Sequence, residues 1–97
     1  MIFNSPIVQK YILRGVKLVA TIRKSGYYYI GKRVTMKVGD KVFYGRVIAI
    51  KPITPITLSQ CVDYSGFENV EQWMYEAERL HKTRIDPSKF EIVIIEI

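Results

Sequence analysis

Lys17, Thr21 and Arg23 stand close together in a stretch rich in β-branched side chains. A guanidinium grips an oxyanion through paired N–H groups, an ammonium acts as a point charge, and a hydroxyl donates or accepts beside them. Three such groups on one strand would floor an anion-binding cleft. The same residue types also suit an exposed strand edge, where lysine and arginine discourage pairing with another chain. Immediately downstream, Lys24-Ser25-Gly26-Tyr27-Tyr28-Tyr29-Ile30-Gly31-Lys32-Arg33 sets tyrosines between cations. Unpaired bases stack on aromatic rings at ~1–3 kcal/mol each while cations follow the phosphates, so Lys24, Tyr27, Tyr29, Lys32 and Arg33 are candidate contacts to single-stranded nucleic acid. Arg14 and Arg46 complete the candidate basic surface. Tyrosine is equally at home in a strand, and in an extended segment Tyr28 would face away from Tyr27 and Tyr29.

Other chemistries find little purchase. The single cysteine, Cys61, has no intrachain partner and no activating cation beside it in the sequence, so it reads as a small buried hydrophobe. His81 has no carboxylate, cysteine or second histidine at ligand spacing, so it reads as a helix cap or surface residue and no metal site is expected. Trp73 falls on an apolar helical stripe and reads as core. No P-loop, dinucleotide fingerprint or nucleophile elbow occurs, and no cofactor is expected.

Charge narrows the class of partner. The chain has 97 residues and a formal net charge of +6, enough for one domain with one modest core. Residues 1 to 51 carry eleven lysines and arginines against Asp40 alone, a net +10. Residues 52 to 97 carry four cations against eight carboxylates, a net −4. In one small domain this split suggests a basic face and an acidic face, and the basic face suits a polyanion such as nucleic acid. The alternative is a surface on which the charges intermix after folding. No apolar run is long enough to cross a membrane. The first residues lack the basic-then-apolar pattern of a signal peptide, so a cytoplasmic address is expected.

The elements that must position these groups follow from periodicity. Ser5 and Pro6 open a short helix as cap and first residue, Ile7, Val8, Tyr11 and Ile12 form its face, and Gly15 ends it. Val16 to Arg23, Arg33 to Val38 and Lys41 to Lys51 read as strands. In the last of these Val42, Tyr44, Arg46, Ile48 and Ile50 share one face, with Phe43, Val47 and Ala49 on the other. Pro52 and Pro55 end that strand. Asn69 caps a second helix with Gln72 as its reciprocal partner, Val70, Trp73, Met74, Ala77 and Leu80 form its stripe, and Glu71, Glu76 and Glu78 give it an acidic outer side. Phe90 to Ile97 is apolar on both faces and belongs inside a sheet or barrel. The order predicts an α+β fold, a small mixed β-barrel flanked by two helices.

These residues carry a family resemblance. Gly15-Val16-Lys17 followed by Thr21-Ile22-Arg23, then Val38-Gly39-Asp40 with Val47 in the next strand, then Gly66-Phe67-Glu68-Asn69-Val70-Glu71 opening a helix, resembles an ASCH domain of the PUA-like superfamily. The match runs from residue 5 to residue 97. It implies a mixed barrel with a cleft beside the first helix that holds RNA or a nucleotide-like ligand, lined by Lys17, Thr21 and Arg23. Some members of that family are amidohydrolases acting on N4-acetylcytidine through a lysine, a threonine and a glutamate. If this chain were one, Lys17 and Thr21 would take the first two roles. The interval from Lys17 to Thr21 is one residue longer than in those enzymes, which turns Thr21 to the other strand face unless a bulge absorbs it. Ser65 stands where they carry the glutamate, and a serine cannot serve as a carboxylate base. Asp63 or Glu68 would have to replace it. The resulting expectation is a monomeric, non-catalytic module that binds RNA or single-stranded nucleic acid through a basic cleft built by residues 14 to 46. The amidohydrolase is the first alternative, and an interaction subunit docking through its acidic helix is the second.

Overall fold

The computed structural model describes all 97 residues. β1 (Ile2–Phe3) and α1 (Pro6–Leu13) lead into β2 (Leu18–Lys24), β3 (Arg33–Val38) and the long β4 (Lys41–Lys51). α2 (Pro55–Cys61), a 3-10 turn (Val62–Tyr64), α3 (Val70–His81) and β5 (Phe90–Glu96) follow. The five strands form one sheet in the order β1-β3-β4-β5-β2, antiparallel except for the parallel β1–β3 pair. The sheet curls into a half-barrel, an α+β fold with three helices.

Two apolar clusters lie on either side of that sheet, and β5 feeds both. Val93 and Ile95 point into the half-barrel with Phe3, Ile12, Val19, Met36 and Val47. Phe90, Ile92 and Ile94 point the other way, against Leu58, Cys61, Trp73 and Ala77 of α2 and α3. The expectation for this strand holds, because β5 is flanked by β4 and β2 and covered on both faces.

Two local expectations change, and one open alternative is decided. A third helix, α2, stands where the prolines signalled only the end of a strand. Thr54 is its N-cap, Pro55 opens it, and Thr54 and Thr57 satisfy each other's free backbone amides reciprocally. The alternation of β4 breaks at Ile48, where a bulge separates Val47↔Ile95 from Ala49↔Ile94. The extra residue moves Ile50 to the interior side with Phe43 and Val47, and Ala49 to the helix side. Segment 27–30 is a loop rather than a strand.

One glycine keeps this wall closed. A Cβ on Gly45 would stand 2.6 Å from Ile95 Cγ2 and 2.9 Å from the Glu96 carbonyl oxygen, so the close approach of β4 to β5 excludes a side chain there.

Candidate nucleic-acid interface

β1 and β2 are the two ends of the curled sheet and do not pair with each other. A cleft of about 150 Å³ opens along this seam, lined by Phe3 and Ser5 on one side, Thr21 and Arg23 on the other, and Trp73 and Glu76 of α3 below. Arg23 stitches the seam. Its Nε donates to Thr21 Oγ1 at 3.2 Å, its terminal nitrogen donates to the Ile2 carbonyl at 3.2 Å, and its guanidinium lies 4.9 Å from the Phe3 ring centroid. Burial pushes the Arg23 pKa down, with the neighbouring Tyr28 acting in the opposite direction. A guanidinium carries more donors than these partners use, so Arg23 keeps some for a ligand.

Across the cleft, Ser5 Oγ donates to Glu76 Oε2 at 3.2 Å, and Glu76 also pairs with Arg79. Ser5 is buried, and its hydroxyl serves this contact instead of capping α1, which has no side-chain cap. Glu76 and Glu78 therefore do not form an outer acidic side. Glu78 accepts from the Ile85 backbone N–H at 3.1 Å, and of the three helix glutamates only Glu71 is exposed. His81 lies with Nε2 3.2 Å from the Ile22 carbonyl oxygen and packs edge-on against Phe90 at 5.0 Å. It is neither cap nor free surface, because β2 is an edge strand with carbonyls to satisfy and the last turn of α3 passes over it.

Arg23 and His81 also line a second, shallower groove with Lys24, Tyr27, Tyr28 and Lys32. The three tyrosines face differently although the segment is not a strand. Tyr27 and Tyr29 are 67% and 63% exposed, whereas Tyr28 packs onto the half-barrel core. Lys32 is partly committed to the loop itself. Its Nζ donates to the Tyr27 carbonyl at 2.8 Å and lies 5.4 and 5.5 Å from the Tyr28 and Tyr29 ring centroids. The backbone of Gly31 and Lys32 continues the ladder to Val47 at 2.7 and 2.8 Å, which pins one end of the loop.

Over 95 residues the chain is 59% identical to "Uncharacterized protein 105" of Sulfolobus islandicus rod-shaped virus 1, covering 98% of this chain and 90% of that protein. The chain belongs to the protein 105 family. No protein-family model matches it. No solved structure matches it.

In this member of the protein 105 family, the predicted site residues separate into groups. Thr21 and Arg23 meet in the seam, and Arg23, Lys24, Tyr27 and Lys32 meet in the groove beside it. Lys17 lines neither. It is exposed just before β2, four residues from Thr21 or about 13 Å along an extended chain. The β2–β5 register runs unbroken from Leu18↔Glu96 to Lys24↔Phe90, so no bulge there absorbs the longer interval. Arg14 caps the C-terminal end of α1 and is exposed. Arg33 and Arg46 are direct cross-strand partners on the outer side of β3 and β4, with Tyr29 of the loop not among their neighbours in that shallow surface.

The carboxylates proposed by the resemblance do not reach the seam. Asp63 and Glu68 are exposed and line neither cleft, and Ser65 is buried, its Oγ donating to the Val62 carbonyl at 2.6 Å and accepting from the Phe67 N–H at 3.1 Å. Ser65 holds the turn that leads to α3. The carboxylate in the cleft is Glu76, which sequence reasoning assigned to the solvent side of α3. A recognisable signal was Glu76 three residues after Trp73 and one before Ala77, at the margin of the apolar stripe. Cys61 is buried and its thiol pKa is pushed up by burial, while Lys51, distant in sequence, acts weakly the other way. No cluster of three or more His, Cys, Asp or Glu side chains could hold a metal ion. No helix is long and apolar enough to cross a membrane.

Proposed function

We propose that this protein binds RNA or single-stranded nucleic acid without catalysing a reaction on it, as a PUA-like ASCH module would, with the cytoplasm as its place of action. The observation that carries the reading is the continuity of the seam cleft with the tyrosine groove through Arg23 and His81, which line both. A strand laid along the groove would stack a base on Tyr27 and meet Lys24 and Arg23 with its phosphates, with Tyr29 exposed on the same loop for a further base. Charge supports it. The single ion pair, Arg79–Glu76, lies wholly within residues 52 to 97, so the eleven cations of residues 1 to 51 remain without a carboxylate partner. Arg46 stands opposite Glu96 and Arg23 opposite Glu91 on neighbouring strands, so carboxylates of the acidic half lie among these cations without pairing with them. The amidohydrolase alternative needs a carboxylate working on Lys17 or Thr21, and the carboxylate of the cleft, Glu76, is bonded to Ser5 and Arg79 instead.

The test is fluorescence anisotropy with a labelled single-stranded RNA and a duplex DNA of equal length across a salt series. Neutralising three phosphates gives log K against log salt a slope of about −2 on a single strand. The expected result is tighter binding of the single strand with such a slope. An affinity unchanged between low and moderate salt would overturn the proposal.

A further inference from the structure

Lys24 belongs to a third concavity as well, with Thr83, Arg84, Asp86, Lys89 and Phe90. Three cations converge there, Lys24 from the end of β2 and Arg84 and Lys89 from the connection between α3 and β5, and none of them forms an ion pair. Their backbones are anchored. Lys24 is the cross-strand partner of Phe90, Ser25 N–H donates to the Lys89 carbonyl at 2.9 Å, and Lys89 N–H donates to the Asp86 carbonyl at 2.9 Å. Arg84 precedes Ile85, which is buried and whose N–H donates to Glu78. The side chains are exposed on this fixed frame.

The one carboxylate present does not neutralise them. Asp86 Oδ1 accepts from the Ser88 N–H at 2.9 Å and from Ser88 Oγ at 2.8 Å, within its own turn. The concavity thus keeps a formal net +2, with ammonium and guanidinium donors free. Such a set favours the tetrahedral, multiply accepting oxygens of a phosphate. Because Lys24 also lines the tyrosine groove, a strand stacked at Tyr27 would carry its backbone directly onto Arg84 and Lys89.

We infer that Lys24, Arg84 and Lys89 form a phosphate subsite that takes the backbone of a bound nucleic-acid strand beyond the tyrosines. This rests on the nucleic-acid reading for the source of the phosphate, and the experiment separates the two. Inorganic pyrophosphate is titrated into the full chain and followed by amide NMR, then the single-stranded RNA salt series is repeated with the double variant Arg84→Ala, Lys89→Ala. A circular-dichroism spectrum checks that the variant is folded. The expected results are pyrophosphate-dependent shifts centred on Lys24 and residues 83–90, their loss in the variant, and a salt slope shallower by about 1.4, since each phosphate contact contributes roughly 0.7 on a single strand. Shifts centred elsewhere, or none, overturn the subsite whatever the RNA does. Shifts at the subsite with an unchanged RNA slope overturn the assignment of its phosphate to the strand. Shifts at the subsite in a parent protein that binds no RNA overturn the nucleic-acid reading and leave a site for a free phosphorylated ligand.

Discussion

The seam cleft and the cationic rim around Lys24 share one side of the molecule but handle polar groups in opposite ways. In the seam, Thr21, Arg23, Ser5 and Glu76 are bonded to one another or to backbone and sit among Phe3, Phe67 and Trp73. Around the rim, Lys24, Arg84 and Lys89 stand exposed and unpaired while only their backbones are held. Desolvated polar groups must be satisfied internally, so the seam is built for shape and position. Solvated cations cost little to leave unpaired, so the rim can supply salt-dependent attraction without weakening the fold. Stability and affinity are thereby divided between neighbouring surfaces.

That division breaks if a seam residue proves dispensable to folding. Trp73 is 3% exposed and belongs to the core beneath the seam, so Trp73→Ala should lower unfolding free energy by about 3–5 kcal/mol, read from urea denaturation. A loss within the range of a surface substitution would show that the seam is not packed as described. The tyrosines sharpen the contrast within one loop. Tyr29→Ala should leave stability nearly unchanged and weaken single-stranded RNA binding by about 1–3 kcal/mol. Tyr28→Ala should instead cost about 1–2 kcal/mol of stability, because its ring packs on the half-barrel core. Equal effects of the two variants on both readouts would erase the distinction.

The smallest effect lies at the rim. The Ser88 backbone and side-chain bonds hold the Asp86 carboxyl below the usual aspartate range, with Lys89 adding to them. A depressed folded-state pKa contributes stability that is present above the unfolded value and is lost as pH falls through the folded one. The Asp86 contribution should therefore be intact at neutral pH and disappear only in acid below about pH 4. NMR titration of Ser88→Ala should move the Asp86 pKa upward, toward the ordinary value. An unmoved pKa would mean that the Ser88 bonds do not hold this carboxylate.

Much of the fold was legible because its signals are local. Asn69 caps α3 through its bond to the Gln72 N–H, Pro6 opens α1, and β5 is buried on both faces as its composition required. The pair Thr54 and Pro55, with Thr57 three residues on, is a capping signature for α2, but the same prolines also signal the end of a strand. The Ile48 bulge had no comparable mark, since alternation continues through it in sequence while the pairing with β5 shifts. Ser5 stands at the N-cap position of α1, where its type suits a cap. It serves a helix 71 residues away, because folding brings Glu76 within reach of its hydroxyl.

By itself the sequence determined most element types, though not α2, the uneven charge of the two halves of the chain, and the placement of Trp73 and Cys61 in the core. These depend on side-chain period and composition within a few residues. Tertiary structure alone decided that Thr21 and Arg23 meet without Lys17, that Glu76 enters the cleft, and that Lys24 joins Arg84 and Lys89. Each of those follows from the strand order β1-β3-β4-β5-β2, which leaves β1 and β2 as facing edges and sets the ends of β2, α3 and β5 side by side. Local periodicity records which way a side chain points from its own element. It carries no information about which distant edge that element will face once the sheet curls.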